Sequence, residues 1–129
     1  MTSNKIKTAI LLVICLLLII STANAQAIKT TISDILSNPD RYDGKIVQVE
    51  GKVIAPKFKT SKKGNPYTTF KVGETSSRTV NVFTFGTLSI KEADIVRVSG
   101  SYPKSKFVMP RYTFYNEIDA SNGSVEKIR

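Results

Sequence analysis

Lysines and aromatic rings are interleaved along the middle of this chain, and that mixture is the chemistry it offers most plainly. Lys57, Phe58 and Lys59 follow one another, Lys62 and Lys63 come next, and Tyr67, Lys71 and Phe83 stand downstream. A second cluster repeats the mixture with Lys104, Lys106, Phe107 and Arg111. Cationic groups track phosphates and rings stack on bases, so the combination suits a single-stranded nucleic acid. Each ring used in this way contributes roughly 1–3 kcal/mol. The bland alternative for Phe58 and Phe107 is that they cap the open ends of a core.

Charge points in the same direction. The formal net charge is +9. Residues 52–111 hold most of the cations, against only Glu74, Glu92 and Asp94. A basic middle draws an anionic partner: nucleic acid, acidic glycan or lipid headgroups. The same charge also serves solubility without any ligand.

Catalysis has little to work with. The chain has no histidine and a single cysteine, Cys15. The commonest general base is therefore missing, and so are the usual zinc ligands. The carboxylates are scattered. Glu117 and Asp119 share one face of a strand and could hold a hard cation weakly, though a solvated strand edge explains them as well. No enzyme activity, metal or cofactor is expected.

The N-terminus reads as a leader. Lys5 and Lys7 precede an unbroken apolar run over residues 9–20, and Ala23-Asn24-Ala25 supplies small residues at −3 and −1 of a cut. These three parts describe a secretory signal peptide over 1–25, followed by one domain over 26–129. The run is shorter than the roughly 20 residues of a spanning helix. Retained, it would be an N-terminal membrane anchor. Cys15 lacks the small residues that precede a lipoprotein cysteine, and it leaves with the leader, so no disulfide is expected. The expected location is exported, periplasmic or extracellular.

Period-2 apolar spacing predicts strands over 45–54, 67–72, 78–85, 95–102 and 111–120. A short helix over 30–37 precedes them. Thr31 or Ser33 can cap it, and Asn38-Pro39-Asp40 stops it. A second short helix is predicted at 89–93, between the third and fourth strands. Two basic connectors, 55–66 and 103–110, join strands one to two and four to five. Asn122-Gly123 is expected to end the last strand, leaving 124–129 as a helical or frayed tail. On the outer face, Tyr67, Thr69 and Lys71 alternate on the second strand, and Thr79, Asn81, Phe83 and Phe85 on the third. Phe83 and Phe85 read either as platforms or as core, and at least one is assigned to the core.

A family pattern lies over these elements. Tyr42-Asp43-Gly44-Lys45 leads into Val47-Gln48-Val49-Glu50-Gly51-Lys52-Val53, and Val96-Arg97-Val98-Ser99-Gly100 repeats the motif. The whole resembles nucleic-acid-binding OB-fold domains of the tRNA-anticodon-binding-like type, whose short helix and Tyr-x-Gly-Lys turn precede Val-x-Val-x-Gly-x-Val. The resemblance implies an all-β, five-stranded Greek-key barrel with little helix. Such barrels bind ligands on the face of strands two and three and on the connectors 1–2 and 4–5. The barrel is also similar to staphylococcal-type nucleases, whose arginine and carboxylate constellation has no counterpart here. It is similar to periplasmic haem chaperones too, whose attachment histidine this chain lacks. The expected function is an exported, non-catalytic binding module for an anionic polymer, single-stranded nucleic acid first. The alternative is a cell-envelope interaction protein that docks on a protein, an acidic glycan or lipid headgroups. A membrane partner follows only if the leader is retained. Either reading expects the two basic connectors side by side at one mouth of the barrel.

Overall fold

Valine spacing builds the molecule. Val47, Val49, Val53, Val72, Val80, Val82, Val96 and Val98 are almost wholly buried, with Phe70, Tyr102 and Ile118 among them. Each is flanked by residues that face outward, as a pleated strand requires. The computed structural model describes residues 26–103, 105–108 and 112–129, with side chains throughout except between 104 and 115.

β1 (Ile28–Lys29) adds in parallel to β2 (Lys45–Thr60). Between them lie α1 (Ile32–Ser37) and α2 (Pro39–Tyr42). The Thr31 hydroxyl accepts from the Asp34 amide at 3.0 Å and caps α1. Pro39 ends α1 and opens α2, where its missing N–H costs nothing. Ile32, Ile35 and Tyr42 are buried in the same core as the strands.

β3 (Pro66–Thr75), β4 (Arg78–Phe85), β5 (Ile95–Tyr102) and β8 (Glu117–Lys127) complete the barrel. The sheet order is β1-β2-β3-β4-β8-β5, and a further β2–β5 pairing closes the cylinder. β4 and β8 run parallel, while the other barrel pairs are antiparallel. This is the OB-fold: five barrel strands, Greek-key connections and a small helical content.

β2 closes the barrel by changing partners. It pairs with β5 up to Lys52 and with β3 from Lys52 onward. Gly51 sits at the change. A Cβ there would lie 2.8 Å from Ile32 Cδ1 and 2.9 Å from the Gly73 carbonyl oxygen, so the bend needs glycine. Gly100 has the same role on β5, where a Cβ would come within 2.3 Å of the Asp119 carbonyl oxygen.

Five local expectations change. The first connector is mostly strand: β2 runs to Thr60 and β3 starts at Pro66, leaving only a turn. A bulge between Ile54 and Lys57, with Ala55 at φ 50°, breaks the apolar rhythm and hides the continuation. The helix expected at 89–93 is absent, and the segment has no regular structure beyond a turn at Glu92-Ala93. Leu88 and Ile90 both pack against the core, a spacing that extended chain satisfies and one helical turn does not.

The segment expected as a fifth strand over 111–120 is divided. β6 (Ser105–Val108) and β7 (Tyr112–Tyr115) pair as a hairpin, so the second connector is also sheet. Asn116, at φ 50°, separates β7 from β8. The tail is neither helical nor frayed, because β8 continues to Lys127, opposite Val96. Asn122-Gly123 lies inside β8, where Ala120 to Gly123 bulge opposite Gly100. The turn signal there is a bulge signal.

Candidate nucleic-acid interface

The outer face of β3 and β4 follows from what fills the inner one. Thr68, Phe70 and Val72 on β3, and Val80, Val82 and Thr84 on β4, are buried. Their neighbours must point outward: Tyr67, Thr69 and Lys71, then Asn81, Phe83 and Phe85. Register joins them, with Tyr67 opposite Phe85, Thr69 opposite Phe83, and Lys71 opposite Asn81. From β2, Lys59 falls opposite Tyr67 and Lys57 opposite Thr69. From β8, Glu117 falls opposite Asn81 and Asp119 opposite Phe83.

Three rings touch on this face. The Tyr67 and Phe83 centroids are 5.8 Å apart, and Phe83 meets Phe85 edge-on at 5.2 Å. Phe85 is 66% exposed and Phe83 half-buried. The assignment of one of this pair to the core is therefore wrong. The buried side of β4 is supplied by Val80, Val82 and Thr84, and strand alternation turns Phe83 and Phe85 to the other side.

Beside the rings lies a groove of about 370 Å³, lined by Lys57, Lys59, Thr69, Lys71, Asn81 and Glu117 among others. Among the described residues, no carboxylate comes within ion-pair distance of Lys57, Lys59 or Lys71. Their charge is available to a ligand.

The other sequence-derived residues spread out. Lys62 and Lys63 sit at the tip of the β2–β3 turn. Ser61 shapes that turn: its amide donates to the Asn65 carbonyl at 2.8 Å, and its hydroxyl accepts from the Asn65 amide at 3.1 Å. Phe58 falls opposite buried Thr68, so strand alternation turns it away from Lys57 and Lys59, and it is 49% exposed. Lys106 and Phe107 lie on β6, opposite Phe114 and Thr113, with side chains outside the described set. Lys104 and Arg111 lie outside the described residues.

The two connectors, expected side by side, have separate roots. The β6–β7 excursion is rooted at Asn116, whose carbonyl accepts from the Asn81 amide at 2.8 Å. Tyr102 ties the same root by donating to Asn116 Oδ1 at 2.7 Å. The β2–β3 turn adjoins the far end of β4, where the Gly86 amide donates to the Pro66 carbonyl at 2.9 Å. The connectors therefore leave from opposite ends of the aromatic face. Asn81 and Phe85 stand on the outer face that alternation predicted, and Glu117 joins it through the β4–β8 register, which single-strand periodicity does not reveal.

A larger groove, about 450 Å³, lies on a different outer face and is lined by Lys29, Gln48, Glu50, Glu74 and Arg97 among others. Its arginine is matched internally, while Lys29 makes no ion pair among the described residues. The Arg97 guanidinium lies 2.9 Å from Glu50 Oε1 and 3.4 Å from Glu126 Oε2. The Glu50 hydrogen bond and charge, helped by Glu126, hold the guanidinium pKa above its usual value. No group of three or more metal-ligating side chains occurs among the described residues.

No protein-family model matches the chain, and no curated protein matches it. A chain in the crystal structure of yeast Stn1 and Ten1 is similar in three dimensions. Its TM-score is 0.57 and its sequence identity 12%, over 84% of this chain and 66% of that one. This chain thus spans just under two thirds of that chain's length. The likeness is one of fold.

Proposed function

We propose that this chain is an exported, non-catalytic OB-fold module that binds single-stranded nucleic acid on the outer face of β3 and β4. The observation that carries the reading is the contact of Tyr67, Phe83 and Phe85 beside three lysines with no carboxylate in ion-pair reach among the described residues. Single strands need this pairing of stacking platforms with a cationic track. The fold adds support, because OB barrels use this face for oligonucleotides and oligosaccharides. Lys62 and Lys63 extend the track along the β2–β3 arm. Export rests on the Lys5, Lys7 and Ala23-Asn24-Ala25 pattern alone.

That leader pattern favours a second reading. Outside the cytoplasm, acidic glycans and lipid headgroups compete for the same lysines, and the module would then be an envelope docking protein. Anisotropy of a labelled single strand, repeated across salt, separates the two. Nucleic-acid binding predicts a log–log slope of about −0.7 per phosphate contacted, so near −2 for three lysines. Absence of binding at low salt, together with capture by anionic liposomes or cell-wall glycan, favours the second reading and rejects the first.

A further inference from the structure

Charge is sorted across the outer face. Lys57 and Lys59 stand on β2, Lys71 on β3, the Phe83 ring on β4, and Glu117 and Asp119 on β8. One register row runs Lys57, Thr69, Phe83, Asp119, and the next includes Lys71, Asn81 and Glu117. Cations thus stand on β2 and β3, rings on β3 and β4 and carboxylates on β8, with Asn81 in the row of Glu117 and the Phe83 ring in the next.

This order restricts how a single strand can lie. Phosphates are attracted to the lysine bank and repelled from the carboxylate bank. The bases must then cross the rings with their edges toward β8. A carboxylate accepts hydrogen bonds and does not donate them, so it reads amino groups. Cytosine presents N4–H₂ and adenine N6–H₂, whereas thymine presents a carbonyl oxygen, O4, at the equivalent position. Uracil shares that O4, and its one ring N–H lies between two carbonyl oxygens that a carboxylate repels.

We propose that the Glu117 carboxylate, at the β8 bank of the aromatic face, makes this site select amino-bearing bases over uracil and thymine. The proposal rests on the nucleic-acid reading of the face and names its ligand more closely. Glu117 already has a contact of its own. A carboxylate offers about four lone-pair sites, so that contact leaves room for a base amine. Asp119 is the weaker candidate, because its Oδ1 already accepts from the Ser121 amide at 3.0 Å and hydroxyl at 2.5 Å.

The test is competition anisotropy on the folded chain at neutral pH, with oligo-dC and oligo-dU of equal length. These two bases differ only at N3, C4 and its substituent. Wild type is expected to bind oligo-dC about tenfold more tightly than oligo-dU, the discrimination of one good base contact. Glu117→Gln, with its melting temperature checked, should bring the ratio close to one, because an amide can turn its NH₂ toward O4. Equal wild-type affinities overturn the proposal while leaving the nucleic-acid reading intact. So does a Glu117→Gln variant that binds both oligonucleotides more tightly with the ratio unchanged, which makes Glu117 a phosphate repellent only. Failure to bind either oligonucleotide at low salt removes both readings together.

Discussion

Two outer faces of one barrel carry the same kinds of residue and treat them in opposite ways. On the β2–β5–β8 face, register sets Glu50 opposite Arg97 and Arg97 opposite Glu126, and the three charges satisfy one another. On the β2–β3–β4 face, register sets Lys57 opposite Thr69 and Lys59 opposite Tyr67, so the lysines meet a hydroxyl and a ring. The larger groove belongs to the face whose arginine is paired, and the smaller one to the face whose three lysines have no ion pair among the described residues. Groove size and unpaired charge therefore point to different faces. What separates the faces is whether the protein has already answered its own charge.

The sharpest way to break this contrast is to remove the rings. Phe83→Ala combined with Phe85→Ala should cost roughly 1–3 kcal/mol per ring in single-strand affinity, a combined loss of about thirtyfold or more. Anisotropy at fixed salt reads it, and unchanged affinity would leave the rings without a role. Phe85→Ala alone should scarcely move the melting temperature, because that ring is exposed.

Charge reversal comes next. Lys57→Glu with Lys59→Glu should weaken binding at low salt and flatten the log–log salt slope by at least about 0.7 per lysine. A slope that stays put would mean that neither lysine meets a phosphate. Arg97→Met probes the other face with a smaller effect. Exposed ion pairs contribute little to stability, so chemical denaturation should register at most a small drop while single-strand affinity holds. A loss of affinity comparable to that of the ring variants would erase the distinction between the faces.

The smallest effect is a pH dependence near α1. The Tyr42 hydroxyl donates to the Asp34 carboxylate, and that bond chiefly holds the carboxyl pKa below its usual 3.8. A depressed folded pKa gives stability that is present above the usual value and lost as pH falls through the folded one. The melting-temperature gap between wild type and Tyr42→Phe should therefore narrow as pH drops below 3.8. A gap that is constant down to strong acid would show that the hydrogen bond does not couple to this titration.

The barrel was legible in the sequence because the strand residues of its core are mostly valine at period 2, a pattern that few other arrangements satisfy. The outward set on β3 and β4 came with it, since each inward residue fixes its neighbours. Cross-strand partners were not legible. The carboxylates read as scattered because Glu50, Arg97 and Glu126 are far apart in the chain and adjacent only after closure. The bulge at Ala55 and the bulged Asn122-Gly123 imitated a loop and a turn, because both use the backbone freedom that turns use. Phe58 was grouped with Lys57 and Lys59 by sequence, and strand alternation parted them.

Backbone amide shift mapping tests the contrast most directly. A single-stranded oligonucleotide titrated into isotope-labelled protein should perturb Thr69, Lys71, Asn81 and Phe83 in a saturable way while leaving Glu50, Arg97 and Glu126 in place. Perturbations centred on Arg97, with the β3–β4 face silent, would contradict the account.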